Sequence, residues 1–163
     1  MSKSRLLVLL ALFALPLPAL ALCTLLCWCT ASTGSVAFGV YNPLSASPHD
    51  GVGNVRVSCG GVLGLLVPYQ VALDKGANSS AFSPRKLAGG ASRINYDLYA
   101  DVSRTTLWGD GTGGTQTVDG SVSIVLLGGT AQDHPVYGRI PGSQTGVPPG
   151  SYVDTVHVTV TYQ

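Results

Sequence analysis

The sequence contains no glutamate and few charged residues of any kind. Asp, Lys and Arg make up 10% of its 163 residues, whereas globular domains usually contain about 25%. Isolated aspartates are also poorly suited to form the carboxylate pair on which many acid–base enzymes depend. The composition therefore argues against a soluble cytosolic protein and against an enzyme of that type.

Helical periodicity is also missing once the N-terminal region is set aside. No later stretch of ten or more residues has a helical pattern. Instead, short runs of alternating apolar and polar residues are separated by turns rich in Gly (21 residues) and Pro (10 residues). We predict about eight or nine short strands, from Val36–Tyr41 near the start to the final strand that begins at Gly150. This pattern predicts an all-β antiparallel sandwich of immunoglobulin-like type.

Residues 1–21 are predicted to be a secretory signal peptide. Two basic residues are followed by the apolar run Leu6–Leu15 and by Ala19–Ala21, a small-x-small cleavage site. A membrane helix is the alternative, but two prolines break an apolar run that is already short. We therefore expect an exported protein with one mature domain over residues 22–163. Its seven basic residues and eight aspartates give a net charge near −1 and no indication of a nucleic-acid partner.

All four cysteines, Cys23, Cys27, Cys29 and Cys59, follow the predicted cleavage site. In an exported chain an even number of cysteines favours disulfides, and four cysteines allow three pairings. Zinc is the alternative, but neither a second Cys-x-x-Cys nor paired histidines accompany them. We therefore predict disulfides and no metal site.

The C-terminal segment shows the clearest alternation. Every second position is apolar, at Val156, Val158, Val160 and Tyr162, with Thr or His between them. This period of two predicts a half-buried β-strand. Such a strand needs a neighbour on each side, because an unpaired edge exposes a row of backbone N–H and C=O groups. The alternation ends one residue before the end of the sequence, so we expect this strand to accept a neighbour from another molecule.

Motifs that would indicate a cofactor or an enzyme have simpler interpretations. Gly109–Gly114 matches G-x-G-x-x-G, but strand-like residues follow it where a dinucleotide site needs a helix, so we predict a hairpin turn. His49, His134 and His157 accompany no G-x-S-x-G or H-E-x-x-H motif, and we predict that all three are surface residues. The sequence therefore predicts no catalytic residues and no cofactor.

Two apolar segments interrupt the alternating pattern. The first is rich in glycine, which favours a loop over a strand interior, whereas the second fits a core strand equally well. If both are exposed, they form an apolar patch of the kind that marks an interaction site. The residues are Val62, Leu63, Leu65 and Leu66 in the first segment, and Ile124, Val125, Leu126 and Leu127 in the second.

Several strings of residues resemble the spore coat protein U domain family, which includes pilins of archaic, Csu-type chaperone–usher pili. The resemblance spans nearly the whole predicted mature chain. Chaperone–usher pilins typically carry a glycine fourteenth from the C-terminus and a penultimate aromatic residue, and Gly150 and Tyr162 occupy these places. The other matching strings are residues 29–34, 36–44, 55–59, 95–99, 107–115, 136–141 and 149–162.

The resemblance implies an incomplete immunoglobulin-like fold that lacks its last strand. In that family a periplasmic chaperone, and then a neighbouring pilin subunit, inserts the missing strand beside the final one. This donor-strand complementation is a form of β-augmentation. The implied acceptor groove contains Gly150, Val156, Val158, Val160 and Tyr162.

The resemblance also bears on the cysteines and on the position in a fibre. The family's disulfide corresponds to Cys29 and Cys59, and the pairing of the other two cysteines stays open. A shaft pilin donates a strand that precedes its first conserved cysteine, but only Leu22–Trp28 precede Cys29 after the predicted cleavage. The resemblance therefore implies a subunit near the fibre tip, where family members carry apolar loops similar to the two segments above.

The combined expectation is a non-enzymatic structural or adhesive subunit of a chaperone–usher pilus that acts in adhesion and biofilm formation. It would pass through the periplasm to the cell surface. The implied partners are a periplasmic pilus chaperone, an outer-membrane usher and neighbouring pilin subunits. A secreted coat protein of a cell or spore surface is the alternative. A secreted carbohydrate-binding module ranks lower, because Trp28 and Trp108 are the only tryptophans available for such a surface.

Overall fold

The structure, a computed structural model, describes residues 27–61, 66–124 and 130–162. All regular secondary structure in these ranges is β, and no helix there is long and apolar enough to cross a membrane. The all-β prediction is therefore confirmed. The strands are β1 (Cys27–Gly34), β2 (His49–Gly61), β3 (Leu66–Leu73), β4 (Arg85–Gly89), β5 (Ser92–Tyr99), β6 (Val118–Ser123), β7 (Thr130–Ile140) and β8 (Val158–Tyr162).

The eight strands form two antiparallel sheets. The larger sheet has the order β1-β2-β7-β5-β4, and the smaller one has the order β6-β3-β8. Every pairing between these strands is antiparallel. Each sheet turns one apolar face toward the other, so the core lies between the sheets in the manner of a β-sandwich.

Alternation along the central strands builds this core. In β3 the inward residues Val67, Tyr69, Val71 and Leu73 are all at most 4% exposed. Trp108 lies between the sheets with no exposed surface, and its indole N–H donates a hydrogen bond to the Val71 carbonyl oxygen over 3.0 Å. A buried indole needs such a partner, so this bond fixes where the largest core side chain packs against β3.

The two ends of the described chain differ from the sequence-based prediction. The first strand lies at Cys27–Gly34, and residues 35–39 have no regular secondary structure, so the prediction of a strand at Val36–Tyr41 is wrong. The final strand is shorter than predicted, because it begins at Val158. The preceding segment from Gly150 forms an isolated bridge between Val153 and Ala88, and the carbonyl oxygens of Thr155 and His157 accept hydrogen bonds from the backbone N–H groups of Ala77 and Asp74. The alternation predicted correctly which side chains face the core, but it did not predict which backbone N–H and C=O groups have a hydrogen-bond partner.

The packing of Trp108 generates the first testable prediction. We expect Trp108→Phe to lower the free energy of unfolding by about 1–3 kcal/mol, because it removes buried volume and leaves the Val71 carbonyl without its donor. The matched control is Trp28→Phe, since Trp28 is 61% exposed, and its effect should stay below about 0.5 kcal/mol. Urea unfolding followed by far-ultraviolet circular dichroism measures both. Equal effects of the two substitutions would contradict this account of the core.

Candidate functional site: a groove between β1 and β8

The last strand has a partner on one edge only. β8 pairs with β3 from Tyr69 opposite Tyr162 to Leu73 opposite Val158, and no strand of the described chain pairs with its other edge. β1 is likewise paired only with β2 and ends the larger sheet. The two unpaired edges are neighbours in the fold. The sandwich is therefore open on the side between β1 and β8.

β1 and β8 run in opposite directions along this opening. β1 begins opposite Gly61, the last residue of β2, and β8 ends opposite Tyr69, close to the start of β3. Only four residues connect β2 to β3, so the start of β1 and the end of β8 lie at the same end of the sandwich. We refer to this end, which carries Trp28 and Leu66, as the apolar end.

Two adjoining cavities of about 290 and 700 Å³ lie along the same side. Both are lined by Val36, Phe38, Leu87 and Asp154, so they form one continuous depression, which we call the groove. The floor of the smaller cavity consists of buried core residues from both sheets, among them Val55, Leu73, Leu98 and Val136. The groove thus opens directly onto the core.

One wall of the groove is the segment from Gly150 to the end of β8. From Tyr152 to Tyr162, every second residue is half-buried and every residue between is exposed. None of the half-buried residues is as enclosed as the inward side chains of β3, although the apolar ones among them pack against the same core. Of the predicted groove residues, Val156 and Val158 line the smaller cavity and Gly150 lines the larger one. Val160 and Tyr162 lie further along β8 on the same half-covered face, beyond the residues that line the two cavities.

The opposite wall is β1 together with residues 35–41, which follow it. Val36 and Phe38 lie directly over glycines of the larger sheet. A Cβ atom at Gly53 would be 2.7 Å from Val36 Cγ2 and 2.8 Å from the Gly34 carbonyl oxygen, and one at Gly138 would be 2.7 Å from both Val36 and Phe38. These glycines therefore let the segment approach the sheet backbone. Sequence reasoning missed this wall, although glycines within strand patterns are a sign of close backbone approach.

A charged side chain lies at the junction of the two cavities. Asp154 Oδ1 accepts hydrogen bonds from the Asn78 backbone N–H (3.2 Å), the Asn78 side-chain amide (2.8 Å) and its neighbour's backbone N–H at Thr155 (2.9 Å). Its Oδ2 accepts one from the Tyr96 hydroxyl over 2.7 Å. Burial, and then the hydrogen bond and charge of Asp154, raise the pKa of Tyr96, so the phenol stays protonated as a donor. Sequence reasoning did not identify Asp154 as a groove residue.

A disulfide ties the β1 wall to the sheet. Cys29 and Cys59 are directly opposite each other in the β1–β2 register, with Cα atoms 4.1 Å apart, and their sulfur atoms are bonded. The predicted disulfide is therefore confirmed, and no described cysteine is free. Cys23 lies outside the described residues.

The two predicted apolar segments have different outcomes. Leu66 is 63% exposed at the start of β3. Ile124 is only 1% exposed and belongs to the core, so of the two alternatives left open for this segment it follows the core alternative: it continues the inward alternation of β6. The other proposed loop residues lie outside the described residues; they are Val62, Leu63, Leu65, Val125, Leu126 and Leu127.

The remaining candidate residues do not assemble a catalytic or metal site in the described chain. Gly109–Gly114 forms a turn, in which Asp110 accepts hydrogen bonds from the Thr112 backbone and hydroxyl. The prediction of a hairpin is wrong, because the bridge that flanks this turn, between Trp108 and Gln116, is parallel. The prediction of surface histidines is wrong for His134, which is 7% exposed and shares a 2.8 Å hydrogen bond with the Tyr69 hydroxyl. No group of three metal-ligating side chains occurs among residues 27–61, 66–124 and 130–162.

The fold and the groove define a class: an antiparallel β-sandwich whose last described strand lacks one neighbour. The chain belongs to the Spore Coat Protein U domain family, whose model matches residues 17–159. It is 33% identical over 141 residues to Protein U of Myxococcus xanthus, which covers 81% of this chain and 74% of that protein. The family recognised in the sequence is thereby confirmed.

Solved structures agree with the fold. One is the complex described as the CsuC–CsuE chaperone–tip adhesion subunit pre-assembly complex from archaic chaperone–usher Csu pili of Acinetobacter baumannii, with a TM-score of 0.50 and 22% identity. The match covers 83% of this chain but only 39% of the matched chain. The P pilus rod subunit PapA has a TM-score of 0.47 and 16% identity, over 83% of this chain and 99% of that one. The first of these two matches, together with the two antiparallel sheets of the chain, confirms the immunoglobulin-like sandwich predicted from the sequence.

The disulfide in the groove wall generates the second prediction. We expect the double variant Cys29→Ala and Cys59→Ala to lower the free energy of unfolding by about 2–4 kcal/mol, because the unfolded chain is no longer cross-linked. The amide hydrogens of β1 should also exchange faster, since this edge strand is otherwise held by β2 alone. Urea unfolding and hydrogen exchange measure the two effects. Ser32→Ala, an exposed position on the same strand, is the control. Unchanged exchange in β1 would show that the disulfide does not hold this wall.

Proposed function

We propose that this protein is an exported structural subunit of a chaperone–usher fibre. It binds, in the groove between β1 and β8, an extended strand donated by another protein. One observation carries the proposal: the apolar inner face of the last segment is only half-covered, beside two sheet edges that have no partner in the described chain. The role is structural and not enzymatic.

An inserted strand would pair the free backbone groups of the two sheet edges and would cover the half-buried apolar side chains. An extended chain in the groove hydrogen-bonds to the free edges of β8 and β1, which is the physical basis of β-augmentation. Its inward side chains cover Val156, Val158, Val160 and Tyr162. Completing the burial of one such aliphatic side chain contributes up to about 1.5–3 kcal/mol, so a strand that covers four of them gains substantial affinity.

The length of the groove argues for a donor from another protein. At about 3.3 Å per residue, the wall from Tyr152 to Tyr162 is about 33 Å long. After cleavage behind Ala21, which we propose as part of the same export route, residues 22–26 precede β1 and span about 17 Å at most. That segment is too short to fill the groove, so the strand comes from a periplasmic chaperone and then from a neighbouring fibre subunit, with an outer-membrane usher as the site of exchange.

We further propose that the apolar end acts in adhesion and biofilm formation, as expected of a tip-located subunit. Trp28 and Leu66 are 61% and 63% exposed there, a high exposure for side chains of this size and polarity. Val62, Leu63 and Leu65 are adjacent in sequence to Leu66, and we propose them as part of the same adhesive segment on their sequence alone.

Assembly into a coat on a cell or spore surface is the second candidate. The description of the family as a spore coat protein domain favours it. In both proposed functions the groove joins subunits, but the assembled structure is a fibre in one and a surface coat in the other. Electron microscopy of the assembled protein distinguishes a thin fibre from a continuous layer.

Strand binding in the groove is tested with a fluorescent synthetic peptide that carries valine at four alternating positions and threonine between them. We expect the purified mature protein to bind this peptide. Val160→Asp should weaken binding by about 100-fold or more, because the inserted strand would bury an unpaired carboxylate. Fluorescence anisotropy gives the dissociation constants.

Thr159→Asp is the matched control for this experiment, since residue 159 is on the exposed face of the same strand. It adds the same charge and should change the affinity by less than about threefold. Circular dichroism verifies that both variants remain folded. The absence of any binding to the folded wild-type protein, or equal losses in the two variants, would refute the groove as a strand acceptor.

Adhesion through the apolar end is tested by Leu66→Ser. We expect cells that display this variant to attach less to a hydrophobic surface, by about two- to tenfold, because apolar contact area is lost without disturbing the core. Val102→Ser is the control, since Val102 is equally exposed, at 66%, and lines neither cavity of the groove. Crystal-violet staining of attached cells gives the readout, normalised to the amount of displayed protein. Equal attachment of cells that display either variant would refute the adhesive role of the apolar end.

A further inference from the structure

We infer that Asp154 sets the register of the strand that occupies the groove, by requiring a hydrogen-bond donor in place of an apolar side chain at the position that faces it. This inference rests on the proposed function and adds a rule for the sequence of the partner. The donated strand carries apolar residues opposite Val156 to Tyr162 and, next in the same alternating series, a residue with a hydroxyl, amide or ammonium group.

The position of Asp154 supports this assignment. It belongs to the half-buried series that also contains Tyr152, Val156 and Val158, so it lies on the wall that an inserted strand would cover. It lines both cavities, and it is the one charged side chain among the described residues that line either of them. An otherwise apolar or neutral groove therefore has a single carboxylate at the junction of its two parts.

The hydrogen bonds of Asp154 leave it able to accept one more. Oδ1 already accepts three N–H groups, whereas Oδ2 accepts only the Tyr96 hydroxyl and packs closely against Gly76, where a Cβ atom would collide with it. A carboxylate oxygen has two lone pairs, so Oδ2 retains one acceptor site. No Lys or Arg of the described chain forms an ion pair with Asp154, although the charge of the buried Arg85 interacts with it at longer range. A strand that covers the groove would thus remove a negative charge from water without supplying a counterion, unless the strand itself carries a donor.

This requirement fixes the register because side chains on a strand alternate. A slip by one residue turns the whole apolar series away from the groove. A slip by two residues keeps the series facing inward but places an apolar side chain on the carboxylate, which costs free energy because a charged group is desolvated without a new hydrogen bond. Apolar packing alone tolerates the second slip, since the inner face repeats valine at positions 156, 158 and 160. Asp154 distinguishes between the two registers.

Two peptides that differ in a single side chain test this inference. Both carry valine at the four positions that face residues 162 to 156, and the fifth inward position is threonine in one peptide and valine in the other. Threonine and valine have nearly the same shape, so the comparison isolates the hydroxyl group. We expect the wild-type protein to bind the threonine peptide about tenfold or more tightly than the valine peptide, as for a hydrogen bond to a charged group.

The variant Asp154→Asn should reduce this preference to less than about threefold, because a neutral amide costs less to cover than a carboxylate. The control is the same exchange at the position that faces Val158, where both proteins should prefer valine. If Asp154→Asn does not fold, the wild-type protein alone still tests the inference. It should prefer threonine at the position that faces Asp154 and valine at the position that faces Val158.

The outcomes separate this inference from the proposed function. If the folded wild-type protein binds neither peptide, the strand-acceptor function itself is overturned. If it binds both peptides equally well, the groove accepts a strand but Asp154 does not select its register. A threonine preference that persists unchanged in Asp154→Asn would also overturn the inference, because the preference would then have another source.

Discussion

The pairing of backbone groups at sheet edges is the constraint on which this structure depends. A strand inside a sheet satisfies its N–H and C=O groups on both sides, whereas an edge strand leaves one row to water or to another chain. In the described chain β8 pairs only with β3, and β1 pairs only with β2. Because these two edges border the same opening, the apolar face of β8 and part of the core beneath it share one uncovered side. The groove is therefore a consequence of the strand order and not a local feature of a few side chains.

Two different devices hold the wall opposite β8 in place. The disulfide between Cys29 and Cys59 links β1 to the sheet near the apolar end. Toward the other end, where β1 has finished, close approach to Gly53 and Gly138 lets Val36 and Phe38 pack on the sheet without regular strand pairing. The first constraint is a covalent bond, and the second is the close packing that the two glycines allow. Together they position a wall along most of the groove, although only half of it is β-strand.

The sequence predicts those parts of the fold that depend on local alternation. The alternation from Val156 to Tyr162 predicts correctly which side chains of the last segment face the core, because this segment packs one face on it. The wall at residues 35–41 escaped prediction, because its position depends on glycines that are distant in the chain. His134 looked like a surface residue since its partner, Tyr69, comes from the other sheet. The residues of the β8 wall were recognisable from their alternation and family resemblance, whereas Asp154 and Phe38 acquire their role only when two sheets meet.

The opposite directions of β1 and β8 have a mechanical consequence for any strand that joins them. Such a strand lies parallel to one neighbour and antiparallel to the other, and its hydrogen bonds are directed roughly across the strand axes. In the fibre proposed above, tension along an axis aligned with the strand would load all these bonds together in shear, so that they would fail collectively instead of opening one at a time. On the β1 side the Cys29–Cys59 bond carries the load into β2, the longest strand of the larger sheet. The disulfide thus secures β1, an edge strand that would otherwise be held by the hydrogen bonds of one neighbour alone.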